Sequence, residues 1–409
     1  MPVVPRTRPG PRRAVAGAVV LLGLTASCSD DDDAGDPPPA STTAPTTTAP
    51  ATAAYVDDLA ALAADEMDGR DNNTPGSAVA QQYLIGRLEE FAAPLGEDFR
   101  QPFADGTNVL AVVEGTELPD EYVVLGAHYD HLGNDCRSTD PADEICNGAT
   151  DNAAGVATVL DIGRRLAADG TRRSVVLAFW DAEEDGLLGS AAYVADPGVP
   201  LDDTIAYLNW DNQGSNLLPS LRNLTVMVGA ETGGPELLEA AAGAAEASEL
   251  VPVGLSLLFG QGRSDHAVFA QAGIPTVFST DATAGCYHTA QDDLGAVDVD
   301  KLGREIDMGE DLARTLADTT TPPTFVAGTP PATFADAQSM LEIVSQAQPD
   351  LGLFPAEAQA SSEQYLADLQ SIVDAGEAAF DEEATGTLLS GAVDVVLALA
   401  ETTCDAYVD

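Results

Sequence analysis

The stretch that decides the fold is VVLGAHYDHLG, residues 123–133. Its opening residues are apolar or small, as in a strand that is buried on both faces of a parallel sheet. The run then breaks into polar residues, with His128, Asp130 and His131 close together. The whole chain has only four histidines. Two of them three residues apart at the end of a buried strand therefore indicate a chemical site.

Strand-like and helix-like patterns alternate on either side of this stretch. The other strand candidates are NVLAVVEG, SVVLAFWD, TIAYLNWD, LTVMVG and IPTVFST, and the helical stretches between them include NAAGVATVLDIGRRLAADG and GPELLEAAAGAAEASEL. This alternation predicts an α/β fold, a three-layer sandwich around a mostly parallel, mixed sheet. We expect it to form a catalytic domain over residues 55–320. Three further helical patterns predict a small helical appendage over residues 321–409.

The N-terminal segment has the pattern of an export signal. Four arginines precede the apolar run AVAGAVVLLGL, which is too short to cross a bilayer comfortably, so residues 1–27 are interpreted as a lipoprotein signal peptide. Its end, LTASC, resembles a lipobox in which Cys28 becomes the lipidated residue. Residues 28–54 are rich in acidic residues, Pro and Thr and predict a disordered tether. We expect a lipoprotein on the outer face of the cytoplasmic membrane, or a secreted protein.

The charge balance excludes some partners. The chain has 17 basic and 67 acidic residues. The signal region holds four of the basic residues and none of the acidic ones, so the mature chain stands at 13 − 67 = −54. Nucleic acid and anionic membrane surfaces are therefore poor partners, and the expected membrane contact is the lipid at Cys28 alone.

Five cysteines, less a lipidated Cys28, leave an even number for an oxidising compartment. Three pairings of four cysteines are possible. Cys136 and Cys146 bracket one loop and are the favoured pair, which would leave Cys286 to pair with Cys404.

Three of the strand candidates end in polar residues of one chemical kind. His128 and Asp130 follow the first, Glu183 and Glu184 the second, and Asp211 the third. Ligands of open α/β sheets gather at the carboxyl ends of the strands. Clustered carboxylates need a compensating positive charge. Two zinc ions would supply that charge, because imidazole nitrogens and carboxylate oxygens are ligands that zinc prefers.

The motifs HYD, TDNAAG, DAEEDGLLGS, NWD and YHTAQDD follow one another in the chain. Their order resembles the co-catalytic zinc aminopeptidase family, which includes bacterial leucyl aminopeptidases and also glutamate carboxypeptidases and glutaminyl cyclases. The resemblance runs from LAADEMDGRDNNTPGS, residues 62–77, to about residue 318.

The resemblance implies ligands for two zinc ions per chain. Asp151 would bridge the two metals, His128 and Asp211 would complete one site, and Glu184 and His288 would complete the other.

The resemblance also implies three roles beside the metals. Glu183 would be the general base, Asp130 would orient the imidazole of the nearby ligand, and Tyr287 would donate a hydrogen bond to the developing oxyanion. It further implies a cis peptide bond between Asp151 and Asn152.

Two histidines are interpreted as structural. His131 is expected at the rim of the crevice, next to a ligand but not itself one. His266 lies in the run Ser264–Asp265–His266, whose residue types match a hydrolase triad, but three consecutive residues cannot converge in triad geometry. That run is expected to serve helix capping and loop structure.

The function expected from these residues is that of a zinc-dependent exopeptidase that removes N-terminal residues from peptides with a free N-terminus. A carboxypeptidase of the same fold is the nearest alternative and would need a basic pocket for the C-terminal carboxylate. A glutaminyl-cyclase-like acyl transferase and a non-catalytic binding protein are disfavoured, because no ligand and no base is missing.

Overall fold

The computed structural model describes residues 53–96, 98–140, 142–283, 285–328, 332–399 and Cys404. The predicted signal peptide, Cys28 and nearly all of the predicted tether lie outside these residues. None of the described helices is long and apolar enough to cross a membrane.

The described residues form one nine-stranded sheet, with strand order β1-β3-β5-β4-β6-β9-β7-β8 and β2 paired to β3. In chain order the strands are β1 Ala93–Pro94, β2 Arg100–Phe103, β3 Gly106–Val113, β4 Leu118–His128, β5 Arg173–Trp180, β6 Thr204–Trp210, β7 Leu224–Val228, β8 Val251–Leu255 and β9 Thr276–Thr280. The central strands β5, β4, β6 and β9 run parallel, while β3 and β7 pair antiparallel with their central neighbours. The sheet is therefore mixed with a parallel centre, as predicted.

Ten α-helices accompany the sheet in the described residues. They are α1 Ala54–Leu62, α2 Pro75–Leu88, α3 Ala154–Asp169, α4 Leu188–Ala195, α5 Gly234–Ala247, α6 His266–Gln271, α7 Val299–Asp318, α8 Phe334–Ala347, α9 Ala356–Ala375 and α10 Glu382–Leu399.

Alternate residues of the central strands divide between two apolar clusters, one on each face of the sheet. Helices α1, α2, α3, α5 and α7 cover one face, where Val123 and Leu125 of β4 are fully buried. Helices α4 and α6 cover the other face, where Val124 packs in a cluster with Trp180 and Phe269. This division produces the predicted three layers. Because both faces of β4 are covered, its buried part is a continuous apolar run in the sequence.

The C-terminal helices α8 to α10 pack on the β8 end of the sheet. Asp336 caps α8 and also accepts hydrogen bonds from the backbone N–H and the hydroxyl of Ser256, which follows β8. Leu399, at the end of α10, packs against a cluster that includes Phe278 of β9. These helices are thus attached to the body that carries the sheet.

The only lysine of the sequence is buried. The ammonium group of Lys301 donates to the carbonyl of Ser215 at 2.7 Å and lies 3.0 Å from a carboxylate oxygen of Asp281 and 3.7 Å from one of Glu305. Glu305 also accepts the backbone N–H of Gly214. The group fixes the loop that follows β6 against α7 and the end of β9.

Candidate metal centre

Three neighbouring parallel strands bring the polar residues to one edge of the sheet. His128 is the last residue of β4 and pairs in register with Trp180, the last residue of β5. Glu183 and Glu184 follow β5, and Asp211 follows β6 directly. The side chains meet because the carboxyl ends of parallel neighbours lie at the same edge.

Asp151 lies between two histidines. Its Oδ1 is 3.3 Å from Nε2 of His128, and its Oδ2 is 3.2 Å from Nε2 of His288. On the first side, Nε2 of His128 is also 3.4 Å from Oδ1 of Asp211. On the second side, Nε2 of His288 is also 3.2 Å from Oε2 of Glu184. The structure thus brings together the five side chains that were predicted to bind metal, in two groups that share one carboxylate.

His131 does not lie at the rim of the crevice, and that expectation was wrong. Its side chain is buried, and its Nδ1 lies 2.9 Å from Oε1 of Glu184 and 3.9 Å from Oδ2 of Asp151. His131 therefore contacts one carboxylate oxygen of Glu184, and His288 lies near the other. The sequence pattern missed this contact because His131 comes after the end of β4, where no periodicity predicts the direction of a side chain.

The carboxylate of Asp130 contacts the turn after β5. It accepts the backbone N–H groups of Glu183 at 3.1 Å and of Glu184 at 3.2 Å. The imidazole of His128 lies closer to the backbone carbonyl of Asp130, with Nδ1 at 3.1 Å, than to its carboxylate at 3.6 Å. Asp130 therefore orients the imidazole mainly through its main chain, and its side chain positions the two glutamates.

Glu183 is buried beside the His128–Asp211 pair. Oxygen and nitrogen atoms of these three side chains all lie within 4.8 Å of one another. Burial raises the pKa of Glu183 well above its ordinary value, and the neighbouring charge of Asp211 adds to the effect. A carboxyl with a raised pKa suits a group that takes and returns a proton near neutral pH, although its position also lies within reach of a metal bound to His128.

The charged groups around Asp151 shift one another's pKa values. Burial and the carboxylate of Asp151 raise the pKa of Glu184, but His131 and His288 outweigh them and bring it to about 2. Burial lowers the pKa of His288, but its contacts with Asp151 and Glu184 raise it to about 10. Without a metal, the proton on His288 therefore offsets part of the carboxylate charge.

This group of donors fits zinc. Oδ2 of Asp151 and Nε2 of His288 are both buried, and neither has a hydrogen-bond partner among the described residues. Carboxylate oxygens and imidazole nitrogens that converge in this way are the donors that zinc takes in proteins.

Arg70 supports the centre, and sequence reasoning did not single it out. Its side chain is 1% exposed, and its guanidinium donates to the carbonyls of Leu62, Tyr129, Asn147 and Gly148 at 2.5 to 3.0 Å. It thus joins the segment that follows His128 to the segment that precedes Asp151. Contacts of a side chain with backbone carbonyls leave no pattern in the sequence.

Asp292 fixes the turn that presents Asp151. Its carboxylate accepts the hydroxyl and the backbone N–H of Thr150 and the backbone N–H of Asp151 at 2.8 to 3.1 Å. Asp292 belongs to the quoted motif YHTAQDD, which was the only signal of its role. The peptide bond between Asp151 and Asn152 is cis, as predicted.

Tyr287 packs beside the second group of ligands. Its ring stacks on the imidazole of His288, with ring centroids 3.8 Å apart. The guanidinium of the exposed residue Arg263 lies 5.6 Å from the centroid of the Tyr287 ring, and its Nη2 is 3.4 Å from the phenol oxygen. Burial raises the pKa of Tyr287, and the charges of Asp151 and Glu184 add to the effect, so the phenol keeps its proton.

As expected, the Ser264–Asp265–His266 run forms no triad, but the helix-capping role expected of it was wrong. Asp265 precedes α6 without a capping hydrogen bond from its side chain, and its carboxylate is fully buried. The ring of His266 stacks on Phe278, and burial lowers its pKa to about 4. Ser264 accepts a hydrogen bond from Asn209. All three side chains are buried parts of the packing behind the site.

Both predicted disulfides are present. One joins Cys136 to Cys146, and the other joins Cys286 to Cys404 across 118 residues of sequence. Disulfides of this kind persist in oxidising compartments and suggest an extracellular protein.

Comparison with known proteins agrees with this geometry. Residues 108–310 match Peptidase family M28. Over 287 residues the chain is 27% identical to leupeptin-inactivating enzyme 1 of Streptomyces exfoliatus, a match that covers 62% of this chain and 58% of that protein. Over 206 residues it is 31% identical to the probable glutamate carboxypeptidase LAMP1 of Arabidopsis thaliana, covering 46% of this chain and 28% of that protein. The chain thus spans less than two thirds of the length of these relatives.

Among solved structures, LapA of Legionella pneumophila shares the fold. The TM-score is 0.53 at 18% sequence identity, and the match covers 65% of this chain and 73% of LapA.

The match to Peptidase family M28 thus covers residues 108–310, just under half of the chain. The resemblance to zinc peptidases that the five motifs indicated is confirmed, and the domain is that of a metallopeptidase.

Proposed function

We propose that this protein is an exopeptidase with two zinc ions that removes N-terminal residues from peptides. The observation that carries the proposal is the position of Asp151, whose two carboxylate oxygens face two separate groups of donors. His128 and Asp211 would hold one zinc, Glu184 and His288 the other, and Asp151 both.

When bound, the zinc ions would lower the pKa of the attacking water and polarise the scissile carbonyl. Glu183 accepts the proton of that water and returns it to the leaving amine. Tyr287 keeps its proton and donates it in a hydrogen bond to the oxyanion that develops on the carbonyl. The carboxylates of this centre attract a free α-amino group, which favours substrates with an unblocked N-terminus.

Hydrolysis of a panel of aminoacyl anilides tests this proposal. Each substrate is offered with a free and with an acetylated amino group, to zinc-loaded protein and to protein treated with a chelator. We expect cleavage of the free forms only, and loss of cleavage with the chelator. Blocked substrates that are cleaved as fast as free ones would contradict the aminopeptidase assignment.

One observation favours carboxypeptidase activity as the second candidate. The exposed guanidinium of Arg263 lies beside Tyr287, where it could bind a C-terminal carboxylate. Peptides with an acetylated N-terminus and a free C-terminus distinguish the two, because only a carboxypeptidase shortens them. Arg263→Gln should abolish that reaction and leave cleavage of aminoacyl anilides, which lack a carboxylate, in place.

We also propose that the protein is exported and anchored through a lipid on Cys28. The disulfides support export. Metabolic labelling with a fatty acid tests the anchor, which Cys28→Ser should remove.

A further inference from the structure

The loop that carries Tyr287 and His288 is the most exposed part of the metal centre. The side chain of His288 is 30% exposed, whereas those of His128, Asp151 and Asp211 are 6% exposed or less. Four of the five ligands lie on or next to strands and α3, but His288 lies in an irregular segment after β9. Its position therefore depends on contacts with other loops.

On one side the backbone of Arg137 holds this loop. The N–H of Arg137 donates to the carbonyl of His288 at 3.3 Å, and the carbonyl of Arg137 accepts the N–H of Ala290 at 2.8 Å. Arg137 follows Cys136, which is bonded to Cys146. The first disulfide therefore closes the loop from which Arg137 makes these contacts.

On the other side the loop is held covalently. Cys286 comes directly before Tyr287, is 4% exposed, and is bonded to Cys404. Cys404 also lies with its Sγ 3.9 Å from the carbonyl of Gln291, on the far side of the ligand.

The C-terminal helices that come before Cys404 are packed against one another and against the sheet. The hydroxyl of Tyr365 in α9 donates to the carbonyl of Leu388 in α10 at 2.8 Å, and both residues are buried in the cluster between the C-terminal helices. Leu399 packs against the cluster beside β7, β8 and β9. Helix α10 is therefore fixed to the sheet as far as Leu399. Cys404 comes five residues later, and so short a connection limits how far the bond and the loop can move.

We propose that Cys404 is a positioning residue for the second metal site. Its bond to Cys286 makes the C-terminal helices a support for the proposed ligand His288 and for Tyr287. The inference rests on the two zinc sites of the proposed function, whereas only its activity readout rests on the aminopeptidase reaction. The helices beyond the matched family segment would thus have a role in metal binding without contacting the metal.

Zinc titration of the metal-free protein tests the inference. The variants are Cys404→Ser, Cys286→Ser and the double variant, with Leu397→Ala as a control because that side chain of α10 is 60% exposed. We expect wild type and Leu397→Ala to bind two zinc ions with unchanged affinities. The serine variants should bind one zinc ion normally and the other about 10- to 100-fold more weakly. The double variant should have the same zinc affinities as either single variant, because all three lack the same disulfide bond.

Kinetics separate this role from a general loss of folding. With zinc at a fixed low concentration, Cys404→Ser should lower kcat with little change in KM, and added zinc should restore most of the activity. If Cys404→Ser does not fold, a six-residue Gly-Ser insertion between Leu399 and Cys404 keeps the bond and relaxes it, and the same weakening of one zinc ion is expected.

Two results would overturn the inference. One is a variant without the bond that binds both zinc ions as wild type does, and the other is an equal weakening of both sites. Failure of the wild type to hydrolyse any substrate while it binds two zinc ions would contradict the proposed function instead, since the comparison of zinc affinities does not depend on it.

Discussion

The carboxylate of Asp130 accepts the backbone N–H of Glu183 at 3.1 Å. This single contact joins the segment after β4, the strand that ends at the proposed ligand His128, to the turn after β5, which carries the proposed base. Because the same carboxylate also accepts the N–H of Glu184, one side chain sets the positions of the proposed base and of a proposed ligand.

Asp130→Asn should therefore impair two functions at once. An amide can accept with its oxygen only, and its NH₂ group would face one of the two N–H groups. We expect kcat to fall about 10- to 100-fold and zinc affinity to fall by a similar factor. Steady-state kinetics and zinc titration on the same preparation measure both. Loss of one property with the other intact would show that the two contacts act separately.

Glu183→Gln separates the base from the ligands. Glutamine keeps the shape but cannot take a proton, so zinc binding should survive while kcat falls by about 10² to 10⁴, or about 3 to 5 kcal/mol of barrier. Measuring kcat and the zinc content of the same preparation of Glu183→Gln tests this prediction.

Glu184→Gln is the matched control for that change. It removes a proposed ligand that both His131 and His288 contact, so it should weaken one zinc site and recover in part with added zinc. Near-normal turnover of Glu183→Gln, or loss of zinc from Glu183→Gln but not from Glu184→Gln, would reverse the assignment. The proximity of Glu183 to His128 and Asp211 makes that reversal a real outcome of the test.

Arg70→Met should destabilise the fold. It leaves four backbone carbonyls without this donor, and a buried acceptor left without a partner costs about 1 to 3 kcal/mol. Arg70→Lys should be intermediate, because an ammonium lacks the planar fork of donors. Urea unfolding measures both. Arg100→Met is the control: its ion pair with Asp98 is exposed, so a change within about 1 kcal/mol is expected. Equal stability of Arg70→Met and wild type would refute the role.

The metal-free protein should lose stability as the pH rises. Burial raises the pKa of Asp265 to about 7 and that of Asp181 to about 7. A carboxyl with a raised pKa binds its proton more tightly in the folded state. The contribution of such a carboxyl to the free energy of unfolding is therefore fully present below about pH 4 and is lost as the pH rises through 7. The slope approaches about 1.4 kcal/mol per pH unit for each group.

Asp265→Asn should flatten this dependence, since an amide resembles the protonated acid. Urea unfolding of chelator-treated protein at pH 5, 6, 7 and 8 measures the slope. The exposed residue Asp120 provides a control, because Asp120→Asn should leave the slope unchanged. Identical slopes for wild type and Asp265→Asn would contradict the assignment.

The central strands could be predicted because they are buried on both faces. Runs such as the one ending at His128 are apolar throughout, and this pattern does not depend on the rest of the fold. The short strands β1, β2 and β8 were not predicted. Each contains a proline, and several of their residues are exposed, so they lack the apolar pattern.

The proposed ligands could be predicted because they follow strands in a motif order. The residues that support them could not. Arg70 acts on backbone carbonyls, and His131 acts on a carboxylate 53 residues away, so only the folded chain brings these partners together. The expected capping role of Asp265 was wrong because local sequence does not reveal that a residue beside a helix is covered by other elements.

Reagents that react with lysine amines have no accessible lysine as a target in this protein. The sequence has one, and Lys301 is 1% exposed and paired with two buried carboxylates. Succinimidyl dyes, aldehyde resins and lysine-specific crosslinkers should leave the folded body unmodified. Carbodiimide coupling through its many surface carboxylates is the practical route to labelling or immobilisation, provided that a competitive ligand or bound zinc shields those of the metal centre.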